Sequence, residues 1–389
     1  MNELDRRLAG DLAALDRRSL RRRRTARGES RFPDIEIEGR RLVNFAANDY
    51  LGLAGDPRIA RALAVGAERW GTGAGAAHLL SGHTRAHAEF EEALADFLGR
   101  ESALLFSTGY MANLGLVGAL TARGDSIVAD RLNHASLVDA AILSRAKHLR
   151  YAHGDAAAAG ERLQAASGRA LLATDGVFSM DGDLAPLAEL ATLAARHEAV
   201  FMVDDAHGFG VLGASGRGSL EQVGLDAEQV PALVVTLGKA LGVFGAAVAG
   251  SRILIETLVQ RARPWVYTTA LPPALAESLT EALAVLRDEG WRRERVRALV
   301  ARFRAGCERS GLGLVASVTP IQPVRVGEAK RALAVSRALA ERGFYVPAIR
   351  PPTVPAGTAR LRVSLSAAHE EAQVDGLVAA LTEALADDE

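Results

Sequence analysis

Residues 233–244 read Leu233-Val234-Val235-Thr236-Leu237-Gly238-Lys239-Ala240-Leu241-Gly242-Val243-Phe244, and upstream Val200-Phe201-Met202-Val203 runs into Asp204-Asp205-Ala206-His207. Each stretch opens as a short, unbroken apolar run rich in β-branched residues, the pattern of a strand covered on both faces. Each then breaks into glycine or polar residues, where the strand must end. Strands buried on both faces belong to a parallel sheet flanked by helices. A lysine and a carboxylate delivered at two such strand ends therefore bear on the fold and the chemistry together.

Working outward, three more runs behave alike. Ala103-Leu104-Leu105-Phe106 leads to Ser107-Thr108-Gly109-Tyr110, Ile127-Val128-Ala129 to Asp130 and Asn133-His134, and Leu171-Leu172-Ala173-Thr174 to Asp175 and Ser179. In open α/β sheets ligands bind outside the carboxyl ends of the strands, so five polar clusters at five such ends predict one shared crevice. Up to about residue 250, short apolar runs alternate with amphipathic segments, which gives α/β with a mainly parallel central sheet. Before it, Leu4, Leu8, Leu12 and Leu15 recur at helical spacing and predict a helix over 3–24 with a basic end, Arg17, Arg18 and Arg21 to Arg24. Ile35, Ile37 and Leu42-Val43 predict a short strand pair. Beyond about residue 280, helical segments at 293–309 and 330–343 accompany strands near Ile321-Gln322-Pro323-Val324-Arg325 and Leu361-Arg362-Val363-Ser364-Leu365. The expected organisation is an N-terminal helical arm (1–40), a large α/β domain (41–280) and a smaller α+β C-terminal domain (281–389).

Composition narrows the function. With 389 residues, 49% of them hydrophobic, the chain can bury a large core. Its 46 basic and 47 acidic residues leave a net charge of −1, no field for gathering nucleic acid. Cys307 is the only cysteine, which rules out an intrachain disulfide and a cysteine-based metal cluster. No apolar h-region follows Met1 and charges interrupt every apolar stretch well short of spanning length, so a cytoplasmic protein without membrane insertion is expected.

Lys239 is the one lysine between Pro231 and Gly250, and its apolar neighbours favour the uncharged amine. An amine at a strand mouth can form a Schiff base with an aldehyde cofactor, and a strand-end carboxylate can pair with a pyridinium nitrogen; together they point to pyridoxal phosphate (PLP). Asp204 and Asp205 both suit that pairing, and either also suits a helix N-cap or a buried ion pair. His207 can donate to the cofactor's phenolic oxygen or serve only its loop. Ser107–Asn113 joins a strand to a helix start, where the N–H groups of Gly109 and Tyr110 can receive a phosphate, although such turns carry Ser, Thr and Gly for capping as well. Thr236 can offer a hydroxyl to the same phosphate. His134 can stack on the cofactor ring or be structural.

Five strings carry a further inference: Phe45-Ala46-Ala47-Asn48-Asp49-Tyr50-Leu51-Gly52-Leu53, Asp130-Arg131-Leu132-Asn133-His134-Ala135-Ser136, Gly176-Val177-Phe178-Ser179-Met180-Asp181-Gly182-Asp183, Val203-Asp204-Asp205-Ala206-His207-Gly208 and Thr236-Leu237-Gly238-Lys239. Together they resemble the fold-type I PLP-dependent transferases, more narrowly the α-oxoamine synthases, which condense an amino acid with an acyl thioester and release CO2. The string Ile349-Arg350-Pro351-Pro352-Thr353-Val354-Pro355-Ala356-Gly357-Thr358-Ala359-Arg360-Leu361-Arg362 is similar to the branch of that family serving biotin synthesis, which uses L-alanine and a pimeloyl thioester on CoA or an acyl-carrier protein. The resemblance implies that Lys239 holds PLP, that Asp204 pairs with the ring nitrogen, and that Ser179 and His207 contact the phenolic oxygen. It implies further that His134 stacks on the ring, and that Gly109, Tyr110 and Thr236 serve the phosphate and ring. Thr268 and Thr269 fall where the family reaches across a homodimer interface. Asn48, His134 and Arg362 fall on substrate positions, with Arg362 clamping the amino-acid carboxylate, and Arg21 and Thr353 on acyl positions. Leu80-Ser81-Gly82-His83 and Phe209 depart from the family pattern. The remaining alternatives are a glycine acyltransferase of the same family and a PLP aminotransferase.

Overall fold

The computed structural model describes residues 1–22, 24–29 and 31–386; Arg23 of the basic run lies outside them. The chain forms two compact units, one of residues 48–179 and 183–295, the other of residues 1–47, 180–182 and 296–389. The unit boundaries at 47/48 and 295/296 stand beside the sequence-based 40/41 and 280/281.

In chain order the strands are β1 Asp34–Ile37, β2 Arg40–Asn44, β3 Ser102–Phe106, β4 Ser126–Asp130, β5 Lys147–Tyr151, β6 Ala170–Asp175, β7 Val200–Asp204, β8 Ala232–Thr236, β9 Ala246–Gly250, β10 Ile321–Gly327, β11 Phe344–Tyr345, β12 Ala348–Ile349 and β13 Ala359–Ser364. The larger unit holds a seven-stranded sheet in the order β3-β9-β8-β7-β6-β4-β5. Strands β8, β7, β6, β4 and β5 pair in parallel, and only β9 runs against its neighbours, as the mainly parallel reading requires. One face packs Phe106, Leu116, Ile127, Met202, Val234 and Val248 into a continuous core. Burying each such large side chain contributes about 1.5–3 kcal/mol, so the sheet is a rigid platform for its loops. Register then aligns the strand ends, with Asp175 opposite Asp204 and Asp204 opposite Val234.

Two strands of the seven-stranded sheet were not read from the sequence, nor were the two-residue strands β11 and β12. β5, Lys147-His148-Leu149-Arg150-Tyr151, is an edge strand whose polar residues mask it, and β9, Ala246-Ala247-Val248-Ala249-Gly250, is built from residues poor in strand propensity yet is wholly buried. The N-terminal helix is shorter than the periodicity predicts: it ends at Arg17, and Ser19 turns to φ 56°. Arginines at neighbouring helical positions repel, so continuing the helix through the basic run gains nothing.

In the other unit, β1 and β2 form a hairpin through Glu38 and Gly39, both at positive φ (52° and 73°), the combination that suits the strand twist. β11 adds to β2 in parallel, and β10, β13 and β12 make a second antiparallel sheet. His369, fully buried, fastens this unit's C-terminal stretch. Its Nδ1 accepts the Ser366 N–H (3.0 Å), its Nε2 lies 3.1 Å from the Asn44 carbonyl, and its ring stacks on Phe45 at 4.1 Å. Burial pulls its pKa down to about 4. The unfolded chain therefore takes up this proton first as the pH falls. The stability that His369 contributes is whole above about pH 6.5 and is lost as the pH drops through 4. Denaturant titrations should show about 2–3 kcal/mol disappearing across that window, and His369→Gln should flatten the slope while lowering stability at pH 7.

Candidate active site

After β8 the chain closes a tight loop. Leu237 N–H donates to Gly245 O (2.9 Å), Val243 N–H to Leu237 O (3.1 Å) and Gly242 N–H to Lys239 O (2.9 Å). Gly242 sits at φ 68°, and a Cβ there would come within 2.3 Å of the Ala54 nitrogen, so glycine is required. With Leu237, Ala240 and Leu241 buried on either side, half-buried Lys239 is held with Nζ 3.0 Å from His207 Nε2. The other His207 nitrogen, Nδ1, lies 2.7 Å from Tyr50 Oη, and Tyr50 donates its single proton to Asn48 Oδ1 (3.1 Å). Nδ1 is thereby the donor to Tyr50, and Nε2 turns a lone pair toward Lys239.

Asp204 ends β7 and is almost entirely buried. It accepts the Asn113 amide (2.6 Å) and the Ala206 N–H (3.1 Å), while Asn113 also donates to Ser136 (2.8 Å). Asp205 is spent on its own loop, accepting the Ser219 N–H (2.7 Å) and hydroxyl; burial pushes its pKa up to about 7. Asp175 accepts the His134 N–H (2.7 Å), and burial, reinforced by the Asp204 charge, raises its pKa well above the usual carboxylate range. The His134 ring leaves part of its surface to solvent, packs edge-on to Tyr110 (6.2 Å, 78°) and bonds Ser136 through Nδ1 (2.7 Å). Its pKa lies below the ordinary histidine value because of desolvation, which the Asp204 charge opposes and Lys239 reinforces.

Gly109 opens the helix Gly109–Leu120, with Thr108 as its N-cap accepting the Met111 N–H (3.1 Å). The first-turn N–H groups of Gly109 and Tyr110 have no acceptor within a helix, and they carry the positive end of its dipole. A Cβ on Gly109 would sit 2.8 Å from Thr236 Cγ2, so the helix start meets the end of β8 only through glycine. The donor set suits PLP: an amine for the aldehyde, a buried carboxylate for a pyridinium, and a helix end for a phosphate.

Residues 40–381 match the model of the family described as aminotransferase class I and II. A protein of Alkalilimnicola ehrlichii named 8-amino-7-oxononanoate synthase is 62% identical over 352 residues, 90% of each chain, and one of the same name from Stutzerimonas stutzeri is 57% identical over 376 residues, 97% of this chain and 96% of its own. The chain belongs to the 8-amino-7-oxononanoate synthase family. Among solved structures, a serine palmitoyltransferase of S. paucimobilis with bound PLP and myriocin superposes with a TM-score of 0.94 at 30% identity, over 100% of this chain and 99% of that one. An 8-amino-7-oxononanoate synthase from Francisella tularensis gives 0.77 at 31% identity, over 88% and 97%.

Among the residues expected for an 8-amino-7-oxononanoate synthase site, the larger unit links Lys239, His207 and Asn48 through Tyr50, links Asp204, His134 and Tyr110 through Asn113 and Ser136, and sets Gly109 against Thr236, all at the strand ends. Ser179 lies half-buried in the hairpin closed by the Val177–Leu184 bridge. Thr268 and Thr269 lie on a segment bridged to Ala77, and neither hydroxyl bonds to the Lys239 network. In the other unit Arg362 is buried on β13 with Nη1 2.8 Å from Ser364 Oγ. Arg21 pairs with Asp16 (2.6 Å), and it is Arg22 that reaches the Thr353 hydroxyl (3.2 Å). The two departures fall outside the network: His83 packs with His78 and His87, and Phe209 is buried edge-on to Phe97. Tyr50, Asn113 and Ser136 were not singled out by sequence, and Asp175 was read only as a strand-end residue of the crevice, without a role. The available signal was an asparagine within an otherwise apolar helix and a tyrosine inside the Asn48-Asp49-Tyr50 turn.

The close approach at Gly109 gives a direct test. Gly109→Ala should lower stability by about 1–3 kcal/mol through overpacking and weaken phosphate binding. Thr236→Ser, which deletes the opposing methyl, should recover much of the loss in the double variant; additive losses in thermal melts would contradict the contact.

Proposed function

We propose that this chain condenses L-alanine with a pimeloyl thioester, releasing CO2 and the thiol carrier and forming 8-amino-7-oxononanoate for biotin synthesis in the cytoplasm. The observation that carries the reading is Lys239 Nζ 3.0 Å from His207 Nε2, at the mouth of the strands where Asp204 is buried. The names of relatives at 57–62% identity support the choice of substrates.

PLP, when bound, supplies an electron-accepting ring that stabilises charge at the amino-acid Cα and again after CO2 is lost. Lys239 would hold its aldehyde, Gly109, Tyr110 and Thr236 its phosphate, Asp204 its ring nitrogen, Ser179 and His207 its phenolic oxygen, and His134 its face. Buried Asp204, held by Asn113 and the Ala206 N–H, keeps its carboxylate aimed without rearrangement. His207, its tautomer set by Tyr50 and Asn48, can accept a proton from Lys239, leaving Nζ able to take the Cα proton of the substrate. Arg362 holds the alanine carboxylate in its two-pronged guanidinium, Asn48 and His134 line the amino-acid side, and Arg21 and Thr353 receive the acyl chain. A homodimer in which Thr268 and Thr269 serve the partner's site belongs to this reading. Exposed Leu79, Leu80 and Tyr267, near the bridge between Ala77 and Thr269, support it, since apolar side chains on an ordered segment gain by burial against a second copy.

The test is thiol release from pimeloyl-CoA and from pimeloyl-acyl-carrier protein with L-alanine or glycine, beside acetyl-CoA and succinyl-CoA. Release with alanine and a pimeloyl donor is expected, and Lys239→Ala should lower it by about 10²–10⁴-fold or more. Product from glycine alone would replace the reading with a glycine acyltransferase. An amino-acid-dependent change in cofactor absorbance without thiol release would replace it with an aminotransferase.

A further inference from the structure

His153 follows β5 in the turn before the helix Ala156–Gln164, and no part of the reaction as described uses it. Its Nδ1 lies 3.1 and 3.2 Å from the two carboxylate oxygens of Asp130, and its Nε2 lies 2.7 Å from Asp183 Oδ2. The ring meets Phe178 edge-on at 4.4 Å. With a carboxylate at each nitrogen, both nitrogens must donate, which is the imidazolium form. The bonds to Asp130 and then Asp183 outweigh burial and push its pKa up to about 10.

Each carboxylate belongs to a different loop of the site. Asp130 ends β4 and also accepts the Leu132 N–H (2.8 Å) and the Gly154 N–H (2.9 Å), so it shapes the turn that delivers His134. Asp183 closes the hairpin that carries Ser179: Phe178 N–H donates to the Asp183 carbonyl (3.0 Å) beside the Val177–Leu184 bridge. Only Asp130 terminates a strand of the sheet; the hairpin has no sheet register of its own. We propose that His153 is a positioning residue, a cation that ties the hairpin carrying Ser179 to the loop carrying His134 and so sets the spacing of these two cofactor contacts. The proposal rests on the PLP reading of the site for its functional consequence, though not for the ion triad itself.

Proton-detected spectra of histidine-labelled protein, with the His153 signal assigned by its loss in His153→Gln or its shift in Asp183→Asn, should show both ring nitrogens protonated at about pH 8.5, between the ordinary histidine value and 10. A neutral ring there overturns the proposal. In PLP-loaded His153→Gln and Asp183→Asn, the cofactor's circular dichroism and the pH midpoint of its visible band should shift, and PLP dissociation should rise about tenfold, the size expected within one hydrogen-bonded network. Unchanged dichroism, midpoint and affinity in these variants overturn the proposal whatever their melting temperatures, because a triad that only stabilises the fold would move the melt alone. If His153→Gln does not fold, Asp183→Asn and the spectra of the unaltered protein decide. Failure of the unaltered protein to bind PLP would instead overturn the reading of the site, and the ring protonation would still be measurable.

Discussion

Burying Asp175 and Asp204 side by side at the ends of β6 and β7 is the constraint from which the rest of the larger unit follows. Parallel register makes the two carboxylates neighbours, and neither can be ionised in that setting without donors or a cation close by. The structure meets this cost locally. Asn113 and the Ala206 N–H serve Asp204, and the His134 N–H serves Asp175. The apolar core beneath offers these carboxylates no charged partner, so their donors come from the strand mouths and the helix beside them. A carboxylate buried beside a lysine, as Asp204 is, suits a protonated ring nitrogen, so the electrostatic cost of the fold and the chemistry of the cofactor are one matter.

The positions of the loops rest on a small number of close approaches. Gly242 admits the backbone of residues 53–54 against the Lys239 loop, and Gly109 admits Thr236 against a helix start. Neither contact stores much energy, but each removes a degree of freedom from a functional group. The chain Asn48–Tyr50–His207–Lys239 works likewise: a single phenolic proton, committed to Asn48, puts the His207 proton on Nδ1 and leaves the Nε2 lone pair toward the lysine. Groups placed this way need little reorganisation when charge develops, which is where such sites gain most of their effect.

Much of this was legible in the amino-acid order. Unbroken apolar runs ending in Asp204, Thr236 and Asp130 announced buried strands and a ligand-binding edge, and Lys239 stood alone among apolar neighbours. Two kinds of element were hidden. β9 is made of alanine, glycine and one valine, so its strand character comes from pairing with β3 and β8 rather than from propensity. The N-terminal apolar stripe ends at Leu15, and the helix expected to run on through the basic residues to 24 stops at Arg17, where repulsion among arginines, which periodicity does not measure, opposes it.

Taken by itself, the sequence determined the class of the fold and the kinds of groups at its strand ends, because hydrophobic period and residue chemistry are local properties. It left Asp204 and Asp205 equivalent as physical candidates. The family resemblance selected Asp204, and the tertiary structure supplies a physical difference between the two, giving Asp205 to Ser219 within its own loop and setting Asp204 against Asn113 from a distant helix. The partners of His207 and of His153 were decided in the same way. Hydrogen-bond partners far apart in the chain depend on strand order and register, and a linear pattern carries no record of which strands become neighbours.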